Sequence, residues 1–393
     1  MRKKLTIALL AIVVLGLAVF FSLPRIVDGR MNTVDAKPPY VVSARAQAMH
    51  NSLFVADLHG DTLLWSRDLL TEHSHGHIDL PRLQQGHVAL QVFATVTKTP
   101  RGLNFESNAA DTDSITALVM AQRWPPRTWS SLLERALYQS EKLHHAAANS
   151  DGALRIVRTR AELAAFLTTG PLRATAGGKP TPPTAGLLAL EGLHPLEGQL
   201  GNVDKLFDAG FRMAGLTHFF DNELGGSAHG LKKGGLTPFG RDVVRRMESK
   251  KMLIDLAHAS PAVIDDVLAM AKRPVVVSHT GVQATCLGPR NLSNDHIRKI
   301  AATGGVIGIG YFQGAVCGIS PAAIVAAMRH VAKLVGVQHV ALGSDFDGAV
   351  KTAFDTSGLA LITQALLDAG FSESDVAAIM GGNVQRVLLE ALP

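Results

Sequence analysis

Five short apolar runs in this chain end in residues that bind metals or carry protons, and this pattern constrains the fold more than any other feature. His59 and Asp61 follow Ser52–Leu58, Glu191 follows Gly186–Leu190, and His258 follows Met252–Ala257. His279 follows Pro274–Ser278, and Asp345 follows His339–Ser344. Each run is rich in Val, Leu, Ile and Ala and gives way to a loop bearing Gly, Ser or Asn. Runs of this length without polar alternation read as strands buried on both faces, as in a parallel sheet. Polar groups at the C-terminal ends of many such strands, with helical segments between them, describe the active rim of a (β/α)8 barrel. Histidines and carboxylates gathered on one rim can hold a pair of divalent metals. The expected fold class is therefore α/β, a TIM barrel of the metal-dependent hydrolase type.

The alternation continues to the end of the chain. Eight strands are expected near 53–58, 88–96, 186–190, 211–217, 252–257, 274–278, 305–310 and 339–344. Helices are expected near 131–148, 159–168, 240–251, 261–272, 293–303 and 320–335. The interval between the second and third strands is too long for one helix and calls for an insertion with lid or substrate-gating helices. It includes Asn104–Asp113, Trp124–Trp129 and a Gly-, Pro- and Thr-rich loop, Thr169–Thr184. The barrel domain is placed at 50–393, after a linker at 25–49 and an N-terminal segment at 1–24.

That N-terminal segment contains Leu5–Leu23, 19 residues without a charge, preceded by Arg2-Lys3-Lys4. A secretory signal has a shorter apolar region and a cleavage site of small residues, whereas Phe20-Phe21-Ser22-Leu23-Pro24 offers a poor one. Nineteen residues suffice to cross a bilayer core of about 30 Å. The expectation is an uncleaved anchor with the catalytic domain outside the cytoplasm, and a secreted protein after cleavage is the alternative. The first 30 residues hold five basic side chains against Asp28, leaving only +1 of the formal net charge of +5 for the rest. Such a balance gives no electrostatic footprint for nucleic acid. With hydrophobic residues at 47% and charged residues at 18%, disorder is excluded. The two cysteines, Cys286 and Cys317, are free to pair in an oxidising compartment or to remain separate thiols.

Among the candidate ligands, His59 and Asp61 lie two apart, so on an extended backbone they point the same way and converge on one ion. Asp57 shares that face and reads as a residue that orients the ligands. His73, His75 and His77 have similar spacing but no apolar run before them, and they read as a solvated loop. Glu191 follows four apolar residues, where an unpaired carboxylate is costly, and bridging two cations would satisfy both its oxygens. His258 and His279 end successive strands, and imidazole is the common nitrogen ligand of zinc. Asp345 is placed to manage protons for an activated water, while Asp347 reads as a turn or cap residue. His218 suits donation to an oxyanion, and Arg290 offers a bidentate fork for a carboxylate. Gly304–Gly310 lacks the dinucleotide-loop spacing and reads as a barrel strand, and there is no Gly-x-Ser-x-Gly elbow.

Taken together, these stretches resemble the membrane (renal) dipeptidase family of zinc peptidases over roughly residues 50–392. The matching motifs are Asp57-Leu58-His59-Gly60-Asp61, Ile78-Asp79-Leu80-Pro81-Arg82-Leu83, Leu216-Thr217-His218 and Ile254-Asp255-Leu256-Ala257-His258. Further along come Ser278-His279, Pro289-Arg290-Asn291, Gly343-Ser344-Asp345-Phe346-Asp347-Gly348 and Gly381-Gly382-Asn383. The resemblance implies two Zn2+ per chain, with His59 and Asp61 on one, His258 and His279 on the other, and Glu191 between them. It implies substrate-binding roles for His218 and Arg290 and a proton-handling role for Asp345. The expected reaction is hydrolysis of small dipeptides by a hydroxide bridging the two zincs. Gly60 stands where the family often has Asn, and Phe219–Gly230 differs from the mammalian enzymes. A related barrel metallohydrolase for lactones, phosphoesters or cyclic amides is the alternative, although such enzymes often use a bridging carboxylated Lys and no Lys ends a strand here. A non-catalytic binding protein is disfavoured because no ligand is missing. The sequence is compatible with a homodimer.

Overall fold

The computed structural model describes residues 2–168 and 182–393. Its centre is a closed barrel of eight parallel strands: β1 (Val55–Asp57), β2 (Val88–Thr95), β3 (Thr184–Leu190) and β4 (Phe211–Gly215), then β5 (Leu253–Asp255), β6 (Val276–Thr280), β7 (Val306–Ile309) and β8 (Val340–Leu342). Each strand pairs with its neighbours in chain order, and β8 returns to β1 through Leu342 and Asp57. All eight runs expected as strands are strands. The Gly304–Gly310 segment supplies β7.

Alternation along the strands sorts their residues into two layers. Leu90, Leu187, Ala189, Leu253, Val306 and Ala341 cluster inside the barrel, where Val384, Val387 and Leu388 of the C-terminal helix Asn383–Ala391 pack against them. Leu188, Ile254, Val277, Ile307 and Val340 face the surrounding helices instead. Three of those helices begin with a Thr-Pro or Ser-Pro pair. Thr237, Ser260 and Ser320 accept a hydrogen bond from the backbone three residues on, and the following proline fills the first helical position. There its fixed φ suits the turn and its missing N–H costs nothing. The helices Leu132–Ala148, Arg160–Thr168, Asn294–Ala302 and Pro321–Val335 match expectation closely.

The insertion between β2 and β3 adds the helix Ile115–Ala121 and a strand, Leu154–Ile156, that pairs with the start of β3. Of the expected loop Thr169–Thr184, residues 169–181 lie outside the described residues, and Thr184 opens β3. Cys286 and Cys317 are joined as a disulfide with 5.4 Å between their Cα atoms, which ties the loops after β6 and β7.

The segment expected as a linker is instead built into the domain. A single helix runs from Arg2 to Met31 through Pro24, and Thr33–Val34 then pairs in parallel with Lys351–Thr352. Asp28 is buried and accepts from Arg67 Nε at 2.8 Å, an ion pair 39 residues apart in sequence. Asn32 Oδ1 accepts from the backbone N–H of Ala349 at 2.9 Å. Composition gave no hint of these long-range partners.

Candidate metal centre

The strand ends bring the candidate ligands together at the top of the barrel. His59 and Asp61 follow β1, Glu191 follows β3, His258 follows β5, His279 lies in β6, and Asp345 follows β8. All six are buried. Glu191 Oε1 lies 3.0 Å from His258 Nε2, 3.3 Å from His279 Nε2 and 3.5 Å from His59 Nε2. His59 Nε2 lies 3.4 Å from Asp61 Oδ2 and 4.0 Å from Asp345 Oδ1. Three sets could each hold an ion: His59, Asp61 and Glu191; Glu191, His258 and His279; and His59, His279 and Asp345.

Two observations show that this donor set fits cations. His258 Nε2 and His279 Nε2 lie 3.0 Å apart while both face the same Glu191 oxygen, a convergence of nitrogens that hydrogen bonds alone cannot satisfy. His59 Nε2 and both carboxylate oxygens of Asp61 are buried without a hydrogen-bond partner, and such groups are normally paired. The titration tendencies mark a cluster short of positive charge: burial opposes protonation of His59, yet Asp61 and Glu191 raise it to about 10. Burial, reinforced by Asp61 and Asp345, pushes the Glu191 carboxyl well above its ordinary range. Burial also lifts Asp345 to about 8 and drives His218, His258 and His279 well below theirs. Imidazoles held neutral are competent ligands, and divalent charge would relieve the crowded carboxylates.

The local backbone is shaped to aim these groups. His258 and Asp345 adopt left-handed φ values of 60° and 63°, a strained conformation that persists where packing enforces it and gathers at functional sites. At Gly348, a Cβ would meet Asp345 Oδ1 and Asp61 Oδ2, so a side chain there would displace these carboxylates. A Cβ at Gly60 would meet the tip of the Ile78 side chain.

Several supporting residues have no distinctive signal in the sequence. The Ser278 hydroxyl lies 3.1 Å from His59 Nδ1 and 2.9 Å from His279 Nδ1. With a cation on each Nε2, both Nδ1 atoms would carry hydrogens that the hydroxyl oxygen could accept. Asp255 accepts from the backbone N–H groups of Ala257 and Ser278. Asp57, read as an orienter, accepts from the His59 and Ser344 N–H groups and from the Ser344 hydroxyl.

The remaining predicted residues surround the ligands. His218 Nε2 is 3.3 Å from Glu191 Oε2. Arg290 is buried, donates from Nη2 to the His279 carbonyl at 2.7 Å, and leaves Nε without a partner. Both side chains line the cavity that opens above the ligands. Two readings need correction. Asp347 does more than terminate a turn. It is fully buried, pairs with Arg67 at 2.7 Å and accepts from the N–H groups of His77 and Ile78. Burial opposes its ionisation, but Arg67 and His77 outweigh that and hold it well below the usual carboxylate range. His77 is likewise fully buried rather than solvated, and His75 contacts Asp28 at 3.2 Å. Their loop is polar in composition yet is covered by the N-terminal helix and the loop after β8.

Comparison with known proteins decides the family. Residues 43–392 match the model of the membrane dipeptidases, peptidase family M19. The chain belongs to this family. It is a metal-dependent dipeptidase, a hydrolase of peptide bonds. Dipeptidase verJ of Clonostachys rogersoniana is 30% identical over 319 residues, covering 79% of this chain and 75% of the relative. Dipeptidase aclJ of Aspergillus oryzae is 27% identical over 355 residues, covering 85% and 77%. Among solved structures, the probable dipeptidase PvdM from Pseudomonas aeruginosa superposes with a TM-score of 0.72 at 19% identity, covering 88% of this chain and 98% of its own. A metallopeptidase from Rhodobacter sphaeroides, liganded with a phosphinate mimic of L-Ala-D-Ala, gives 0.67 at 22% identity, covering 86% and 99%.

Proposed function

We propose that this chain hydrolyses small dipeptides at a two-zinc centre, with His59 and Asp61 on one ion, His258 and His279 on the other, and Glu191 shared. The observation that carries this reading is the convergence of three imidazole Nε2 atoms on one oxygen of Glu191 within 3.5 Å. When bound, two such ions polarise a scissile carbonyl and lower the pKa of a water to near neutrality. The chain's own groups supply the rest. Asp345, with Oδ1 4.0 Å from His59 Nε2, stands where its carboxylate can take a proton from the attacking water and pass it to the departing amine. His218 is kept neutral by burial and donates a hydrogen bond where negative charge develops on the carbonyl oxygen. Arg290, braced on the His279 carbonyl, turns its remaining donors to the substrate carboxylate.

In the same reading the helix Arg2–Met31 is an uncleaved membrane anchor over its part up to residue 24, and the catalytic domain lies outside the cytoplasm. Support comes from its mean hydropathy of 2.8 over an 18-residue window in which no residue is buried. The test of function is direct. Purified protein should carry close to two equivalents of zinc and release free amino acids from a dipeptide panel, and chelation should abolish that release. Substoichiometric metal with chelator-insensitive hydrolysis would overturn the mechanism, and preferential turnover of lactones or phosphotriesters would favour the related hydrolase class.

A further inference from the structure

The N-terminal helix does more than lead to the catalytic domain, because its last three turns form part of the wall of the active-site cavity. The cavity of about 710 Å³ has the polar groups Asp61, Glu191, His218, His258, Arg290 and Asp345 among its lining residues. Much of the remaining lining is apolar. The helix contributes Phe20, Leu23, Val27 and Met31, and Leu103 and Phe105 come from the loop after β2. Cavities of roughly 300–1,000 Å³ enclose a drug-sized ligand, so this one offers more room than two small residues need.

The wall is fixed in place. The buried Asp28–Arg67 pair, the Asn32–Ala349 hydrogen bond and the parallel pairing of Thr33–Val34 hold the end of the helix on the domain. Breaking a buried ion pair by withdrawing one partner is costly. Towards the N-terminus the same helix carries exposed apolar side chains from Leu5 to Phe21. At about 1.5 Å per residue, the uncharged stretch Leu5–Leu23 is roughly as long as a bilayer core is thick. Leu23 therefore belongs both to the C-terminal end of the membrane-compatible stretch and to the cavity wall. An apolar chain emerging from the bilayer along this helix would enter the cavity directly.

We propose that the enzyme acts on amphiphilic dipeptides, with the peptide head at the ligand cluster. A long apolar chain would lie between the N-terminal helix and the loop after β2, reaching the cavity from the membrane surface. This deepens the dipeptidase reading and rests on it.

The test uses full-length protein in vesicles and in detergent. Substrates are Ala-Ala and Lys-containing dipeptides with Nε-acetyl, Nε-hexanoyl or Nε-decanoyl groups, with the modified residue placed first or second. In at least one series, kcat/KM should rise by up to about fourfold for each buried methylene. The decanoyl substrate should be cleaved when carried in the vesicle membrane. The half-exposed wall residues are changed in Leu23→Gln and Met31→Gln. Each substitution should lower the ratio of decanoyl to Ala-Ala kcat/KM by about tenfold. A flat dependence on chain length in both series would overturn the proposal, as would an unchanged ratio in both variants. Cleavage of monomeric decanoyl substrate with none from vesicles would remove the membrane route. Failure of the wild type to cleave Ala-Ala or any acylated dipeptide would instead defeat the dipeptidase reading.

Discussion

Removing the Arg290 guanidinium tests the substrate class at its most specific contact. The side chain is buried, one nitrogen is committed to the His279 carbonyl at 2.7 Å, and Nε has no protein partner. A buried donor without a partner is rare enough to demand an explanation, and a substrate carboxylate provides one. Hydrogen bonds to charged groups contribute about 1.5–3 kcal/mol, so Arg290→Ala should weaken binding of a free dipeptide by roughly 10- to 150-fold. The loss should fall on KM if the contact is equally strong in ground and transition states. Some structural damage is also expected, because the His279 carbonyl loses its donor, and metal content measured alongside will show its extent. The decisive comparison is between a dipeptide and its C-terminal amide. The amide lacks the carboxylate, so it should be a poor substrate for the wild type and lose little more in the variant. Equal losses for acid and amide, with metal retained, would show that Arg290 only braces its loop, and the carboxylate clamp would have to be abandoned.

Glu191→Gln and Asp345→Asn should separate ligand from proton carrier. A neutral amide at 191 cannot offset two divalent charges, so metal content and turnover should fall together; retention of both by mass spectrometry and rate assay would remove Glu191 from the bridge. Asn at 345 should reduce kcat by roughly two to four orders of magnitude with metal content little changed, and joint loss of a metal would reassign it as a ligand. His50 allows a test of stability far from the metals. It is buried between Thr363 and the Gly86 carbonyl, and burial lowers its pKa from 6.5 to about 4. Its folded pKa is depressed, so below about pH 6.5 the unfolded chain takes up a proton that the folded chain refuses, and stability is lost as pH falls towards 4. Between pH 7 and 5 this contributes a loss of about 2 kcal/mol. In denaturant titrations with chelator, His50→Gln should show a correspondingly smaller drop, and an unchanged drop would refute the assignment.

The barrel could be read from the sequence because buried parallel strands are unmixed apolar runs, and each run that mattered ended in a polar residue with no local reason to be there. Glu191 after Leu187-Leu188-Ala189-Leu190 is the clearest case: burial of that carboxylate required partners, and the strand order supplied three imidazoles. The features that were missed depend on contacts between distant segments. Asp347 looked like a turn residue because its neighbours are Phe and Gly, whereas its role comes from Arg67 and His77, about 270 residues earlier. Ser278 is unremarkable in a strand and adjacent to His279, and alternation would send the two side chains to opposite faces. Its hydroxyl reaches both Nδ1 atoms at a point where the pairing of β6 with β7 shifts register, between Val277 and Thr280. The N-terminal helix carries the same lesson further. Its apolar stretch indicated a membrane by composition alone, but its place in the cavity wall follows from Asp28, the one acid among its first 30 residues, finding Arg67 across the fold. A charge that would oppose a membrane span instead fixes where the apolar helix ends on the domain. It ends at the mouth of the metal site.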